Sequence, residues 1–141
     1  MKTTVLIFFI FFGLCYASPR YIEITGADSK LKVLDKATGL EWTKEYAAAK
    51  TWQQALDYCE ALNYAGNTDW KLPNSNELIS LINIKKYNPA SDFPSAATGY
   101  FWSSSSCVSA ASSAWIVYFS NGNVTSYDKA SAYAVRCVRQ P

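Results

Sequence analysis

The sequence predicts an α+β domain, with a mostly antiparallel, twisted β-sheet and two helices placed between its first and last strands. Three observations carry this reading. Short alternating segments come early, at "YIEIT" and "LKVLDKATGLEW". Apolar residues then recur at helical spacing in "TWQQALDYCEAL" and "NELISLI". From Tyr100 on, alternation returns and includes the hairpin pattern "AWIVYFSNGNVTSYD".

Each element has a local reason. "YIEIT" alternates weakly, as an edge strand does. Leu31 and Val33 face Leu40 and Trp42 across "DKATG", where Asp35 can bond its own backbone and Gly39 can take positive φ. Thr51 opens the first helix as N-cap, with Gln54 three residues on to complete a capping box. Trp52, Ala55, Leu56, Cys59 and Leu62 form its apolar stripe, and Gly66 is the expected terminator. Trp70, Leu72 and Pro73 follow in a connection that reads as buried. Asn74 and Glu77 repeat the cap logic for a second helix, whose apolar residues are Leu78, Ile79, Leu81 and Ile82. Residues 85–99 are turn-rich and irregular. "YFWSSSS" is a strand, Asn121-Gly122 supplies the positive-φ positions of a hairpin, and "AYAVRCVR" closes the sheet.

The start of the chain sets the compartment. "MKTTVLIFFIFFGLCYAS" has a basic Lys2, an apolar run and small residues around Ala17, the layout of a secretory signal peptide. The run is shorter than the roughly 20 residues a spanning helix needs. A lipoprotein would use Cys15, but Leu14 stands where a small residue is wanted. Residues 1–17 are therefore expected to be removed, leaving 18–141 as one exported domain that is periplasmic, secreted or surface-held. Losing Lys2 takes the formal charge from +2 to +1. A chain so close to neutral has no global field for nucleic acid.

The full chain has four cysteines and no histidine. Cys15 falls in the signal segment; Cys59, Cys107 and Cys137 remain in an oxidising compartment, where one bridge and one spare thiol are expected. Cys59 on the buried helix face and Cys137 in the last strand would tie the first helix to the end of the chain. Cys107, in the polar "FWSSSSCVSAASS", is the candidate unpaired thiol at the surface. The residues alone leave Cys107–Cys137 open as a rival. Without close cysteine pairs or histidine, no zinc site and no other metal or cofactor is expected.

Taken together, "VLDKATGLEW", "TWQQALDYCEAL", "DWKLPNSNEL", "YFWSSS", "AWIVYFSNGNV" and "VRCVR" resemble, in order, the Lcl C-terminal domain family, a bacterial domain of unknown function first noted in a collagen-like adhesin. The resemblance covers nearly all of the chain after the signal segment. It implies a fold related to the C-type lectin-like superfamily, where a W-x-x-A-x-x-x-C helix pairs its cysteine with one near the C-terminus. Trp52, Ala55 and Cys59 fit that form, so the resemblance favours Cys59–Cys137. Lys71 stands where the family usually has Arg, and Cys107 is outside the pattern. The Glu-Pro-Asn and Trp-Asn-Asp motifs of lectin calcium sites do not occur. The adhesin relative implies sulfated glycosaminoglycans as ligand, whereas the near-neutral charge supplies little attraction for so anionic a polymer.

Catalysis is not expected. Ser-His-Asp and Cys-His arrangements need a histidine the chain lacks. Ser103 to Ser106 read as a polar strand edge, and Glu41 with Glu45, or Asp57 with Glu60, as solvated faces rather than a glycosidase pair. Lys85, Lys86, Lys129, Arg136 and Arg139 are candidates for a small basic patch, Arg136 alternatively for a buried carboxylate partner. The five tryptophans read as core. A binding surface is the stronger expectation: Tyr118, Asn121, Asn123, Thr125, Tyr127 and Tyr133 gather around the final hairpin. Tyr with Asn and Thr gives rigid contact area plus adaptable hydrogen bonding. The expected partner is an extracellular glycan or protein. A disulfide-linked dimer through Cys107, serving a structural role at the cell envelope, is the other reading.

Overall fold

The computed structural model describes residues 17–141, so the signal segment apart from Ala17 lies outside the described residues. The elements run β1 (Tyr21–Thr25), β2 (Leu31–Asp35), β3 (Leu40–Thr43), β4 (Ala47–Lys50), α1 (Trp52–Glu60), α2 (Ser75–Ile79), β5 (Tyr100–Cys107), β6 (Ala110–Tyr118), β7 (Asn123–Asp128), β8 (Tyr133–Val135) and β9 (Val138–Arg139). They form two sheets rather than one. The first has the order β1-β2-β3-β9 and the second β4-β8-β5-β6-β7. Pairing is antiparallel throughout except between β5 and β8.

Two apolar cores follow from strand alternation. Val33 and Trp42 pair across β2 and β3 and point the same way. They meet Phe101 and Val117 of the second sheet, with Leu78 and Leu81 from the α2 region, Phe93 and Val138. The opposite face of the second sheet sends Trp102, Ala114 and Ile116 against Ala55 and Cys59 of α1, with Trp70 and Leu72 at the edge. Trp42, Trp70 and Trp102 are buried as expected, while Trp52 and Trp115 are half-buried. Burying an aromatic side chain of this size removes on the order of 150–250 Å² from water, which makes these rings the main packing contribution. Trp102 also donates to the Lys50 carbonyl at 2.8 Å and Trp52 to that of Ser103 at 2.9 Å, so both polar ends are satisfied.

Both helices start as the sequence indicates. The Thr51 N–H donates to the Gln54 side chain at 3.1 Å. Asn74 and Glu77 satisfy each other's backbone N–H, each at 2.8 Å. The first helix, however, stops at Glu60 with Ala61 as C-cap. Gly66, the expected terminator, instead sits at φ +76 in a separate turn between Tyr64 and Asn67. Ile79 ends α2 exposed, because it directly follows the buried Leu78 and is turned about 100° away from the core.

Two strand assignments and one turn also differ from the sequence reading. Ala47–Lys50 forms β4, although alanine gives no strand signal; its pairing with β8 overrides propensity. The C-terminal segment is not one strand: β8 belongs to the second sheet and β9 to the first, and Arg136-Cys137 is the crossing. At the β6–β7 turn only Gly122 has positive φ (+80). Asn121 does not, because residues 119–122 make a four-residue loop in which the Gly122 N–H returns to the Tyr118 carbonyl at 2.8 Å. A Cβ on Gly122 would come within 2.9 Å of Ile82 Cγ2.

Cys59 and Cys137 are bonded, with Cα atoms 5.6 Å apart. The bridge fastens α1 to the crossing between the sheets. Because Arg136 and Cys137 are adjacent in extended chain, they project to opposite sides, Cys137 into the α1 core and Arg136 beside Phe93, Leu81 and Phe101.

Candidate functional site

Register settles which hairpin residues share a surface. Tyr100 pairs with Tyr118 and Tyr118 with Asn123; Trp102 pairs with Ile116 and Ile116 with Thr125; Ala114 pairs with Tyr127. Side chains directly opposite in a sheet point to the same face. Tyr118, Asn123, Thr125 and Tyr127 therefore lie on the face that α1 covers only in part. Tyr133 joins them from β8: its neighbour Ala134 packs in the opposite core, whereas Tyr133 and Val135 pack in the α1 core.

The rings converge. Tyr100 stacks on Tyr118 with centroids 4.2 Å apart, and lies 6.0 Å from Tyr127 and 5.4 Å from Tyr133. Tyr127 and Tyr133 meet edge-on at 5.4 Å, and Tyr133 rests against Trp102 at 5.0 Å. The result is a ledge of four tyrosines anchored on a buried tryptophan, with Tyr127 the most open member at 42 % exposure. Burial, together with the neighbouring Tyr127 and Tyr100, holds the Tyr133 hydroxyl above its ordinary pKa, so it remains protonated at neutral pH. Tyr100 belongs to this ledge, yet the residues of the last hairpin alone do not point to it; the signal that brings it in is its register against Tyr118. Asn121 does not join the face. Its side-chain Oδ1 accepts the Asn123 N–H at 2.9 Å and shapes the turn.

The remaining candidates have structural partners. Cys107 is 8 % exposed, buried at the end of β5 rather than at the surface, with its sulfur 3.3 Å from the Ser109 hydroxyl. That contact holds its thiol below the ordinary pKa. Arg136 is 3 % exposed. It has no carboxylate partner among the described residues; it donates to the carbonyls of Thr43, Lys44 and Ser95 at 2.7, 2.5 and 3.0 Å and lies 4.4 Å from the Phe93 ring. Burial lowers its pKa to about 10, which still leaves it charged at neutral pH. Lys129 sits 4.1 Å above Trp52, and Arg139 pairs with Asp69 and Glu41. Lys86 pairs with Asp92, so these basic residues engage separate partners.

The carboxylates divide in the same way. Glu41, expected at a solvated strand end, is buried between Arg139 and Lys32, the latter at 2.8 Å. Asp57 is exposed and accepts from Gln53 at 2.9 Å. No group of three or more metal-ligating side chains is found among the described residues, and none of their helices is long and apolar enough to cross a membrane.

The motif "DWKLPNSNEL" has a visible purpose. Lys71 exchanges two backbone hydrogen bonds with Val138, at 2.8 and 2.9 Å, and so docks the connection after α1 onto β9. Its ammonium pairs with Glu77 at 2.8 Å. Among curated proteins, none matches this chain significantly. The model of one family, the Lcl C-terminal domain, matches residues 32–139. That span holds both cores, the bridge and the tyrosine ledge, and covers more than half of the chain, so the protein belongs to the Lcl C-terminal domain family.

Proposed function

We propose that this protein is a non-catalytic binding module of C-type lectin-like type, exported by a signal peptide ending at Ala17, that grips an extracellular glycan on the tyrosine ledge. The convergence of Tyr100, Tyr118, Tyr127 and Tyr133 carries the reading. Aromatic faces stack on the C–H faces of sugar rings. Asn123 and Thr125 on the same face supply donors and acceptors for hydroxyls. A ledge stiffened by ring-on-ring packing loses little side-chain entropy on binding. Membership in a family first noted in an adhesin agrees with recognition rather than turnover, as does a chain without histidine.

The test is a glycan array, with neutral and sulfated sugars, probed by the wild-type protein and by Tyr127→Ala. Tyr127 is exposed, so its removal leaves the fold intact. The reading predicts binding to a defined glycan set and a loss of about tenfold or more in the variant. Binding to a protein partner with none to any glycan would overturn the sugar version. Unchanged glycan binding in Tyr127→Ala would move the site elsewhere.

A further inference from the structure

A second concave site lies away from the tyrosine ledge, where the β3–β4 connection passes α1. It is a cavity of about 130 Å³ with Lys30, Glu45, Tyr46, Tyr58 and Leu62 on its walls and the buried Tyr64 at its base. Its chemistry is mixed in a specific way. Glu45 has no ion-pair partner among the described residues, and its backbone N–H faces the Tyr64 hydroxyl. Lys30 lies 5.2 Å from the Tyr64 ring and only 3.9 Å from Asp28, a loose contact that leaves its ammonium available. One carboxylate and one ammonium thus flank the same ring. Thr43, Ala47 and Val135 complete the walls, and Tyr46 is 49 % exposed at the rim.

Size limits the occupant to a small molecule. One ordered water needs roughly 10–15 Å³ of such space, so the cavity has room for about 9–13 non-hydrogen atoms. Leucine and a hexose both fall within that range, so charge decides between them. We propose that this cleft binds a small zwitterion, a free α-amino acid with an apolar side chain. Its ammonium would face Glu45, its carboxylate Lys30, and its side chain Leu62 and Tyr58. A neutral sugar leaves both charges unanswered, and a simple cation or anion answers only one. Opposite charges placed for a dipolar ligand also discriminate against partners that lack either end.

Isothermal titration of the purified protein with leucine, leucinamide, N-acetylleucine and glucose tests this. Leucine is expected to bind with a dissociation constant in the micromolar to millimolar range. Leucinamide, lacking the carboxylate, and N-acetylleucine, lacking the ammonium, are expected about tenfold weaker or worse. Glu45→Gln and Lys30→Met should each weaken leucine by about tenfold, while Tyr127→Ala leaves it unchanged. Both charged residues are exposed, so an unaltered circular dichroism spectrum is expected. No heat with any apolar amino acid up to about 10 mM would overturn the proposal. So would equal binding of glucose, or leucine binding indifferent to both charge substitutions. Because the ledge variant is read in the same assay, failure here is distinguishable from failure of the glycan reading.

Discussion

Replacing both Cys59 and Cys137 by Ala should remove a large part of the stability of this domain. The bridge closes a loop with a sequence separation of 78 residues. For that length the chain-entropy relation gives about 15 cal/mol/K, or about 4.5 kcal/mol at 25 °C. Both side chains are essentially fully buried, so losing two sulfurs from packed surroundings adds roughly 1–2 kcal/mol. The sum, about 5.5–6.5 kcal/mol, compares with a total of roughly 5–15 kcal/mol for a typical domain. Urea unfolding followed by tryptophan fluorescence is the assay. At a slope of roughly 1.5–3 kcal/mol per molar, the midpoint should fall by about 2–4 M. The double substitution leaves no unpaired thiol at either end of the lost bridge. A loss below about 1 kcal/mol would refute the reasoning, since it would mean that the unfolded chain is no freer without the bridge.

Other perturbations follow from single contacts. Arg20 grips the fully buried Asp35 carboxylate with two bonds of 2.7 Å. Burial alone would raise the Asp35 pKa, but Arg20, the Ala37 N–H and the Thr38 hydroxyl together hold it below the ordinary value. A depressed carboxylate stabilises the fold above its unfolded pKa, about 4, and that contribution is lost as the pH falls through the folded value. Arg20→Ala should cost about 2 kcal/mol at pH 7, discounted because Arg20 is 38 % exposed, and should move acid unfolding to higher pH. Parallel wild-type and variant curves from pH 3 to 7 would contradict this. Gly26→Ala should destabilise by about 3 kcal/mol or more, because a Cβ there would come within 2.3 Å of the Ala65 backbone; a thermal midpoint within about 2 °C of wild type would count against that packing. Arg136→Lys should cost about 3 kcal/mol, since one ammonium cannot reach three carbonyls from that position; retention of the wild-type urea midpoint would show that the clamp contributes little.

Much of the architecture was legible because local signals agreed with the fold. The Thr51–Gln54 and Asn74–Glu77 caps set both helix starts, and the "DKATG" turn set the first hairpin. Cys59–Cys137 followed from the buried face of the helix and the family pattern. What stayed hidden depended on long-range partners. Ala47–Lys50 is a strand only because β8 lies beside it, and the split of the C-terminal segment between two sheets has no local cue. Arg136 read as a surface or carboxylate-paired residue because sequence does not reveal three carbonyls converging from distant turns. The site was legible in composition, through the tyrosines of the hairpin, but its membership needed register. Tyr100 enters by pairing with Tyr118, and Asn121 leaves because its side chain is spent on the turn. The cleft beside Glu45 gave no sequence signal, since its walls come from four separate segments.

The most direct measurement is an NMR titration of protein carrying ¹³C-labelled tyrosine rings with the tightest glycan from the array. The ledge account predicts that the Tyr100, Tyr118, Tyr127 and Tyr133 ring signals move together and saturate at one affinity, while those of Tyr21 and Tyr64 stay in place. Saturating shifts at Tyr21 or Tyr64 with the ledge signals unmoved would contradict it.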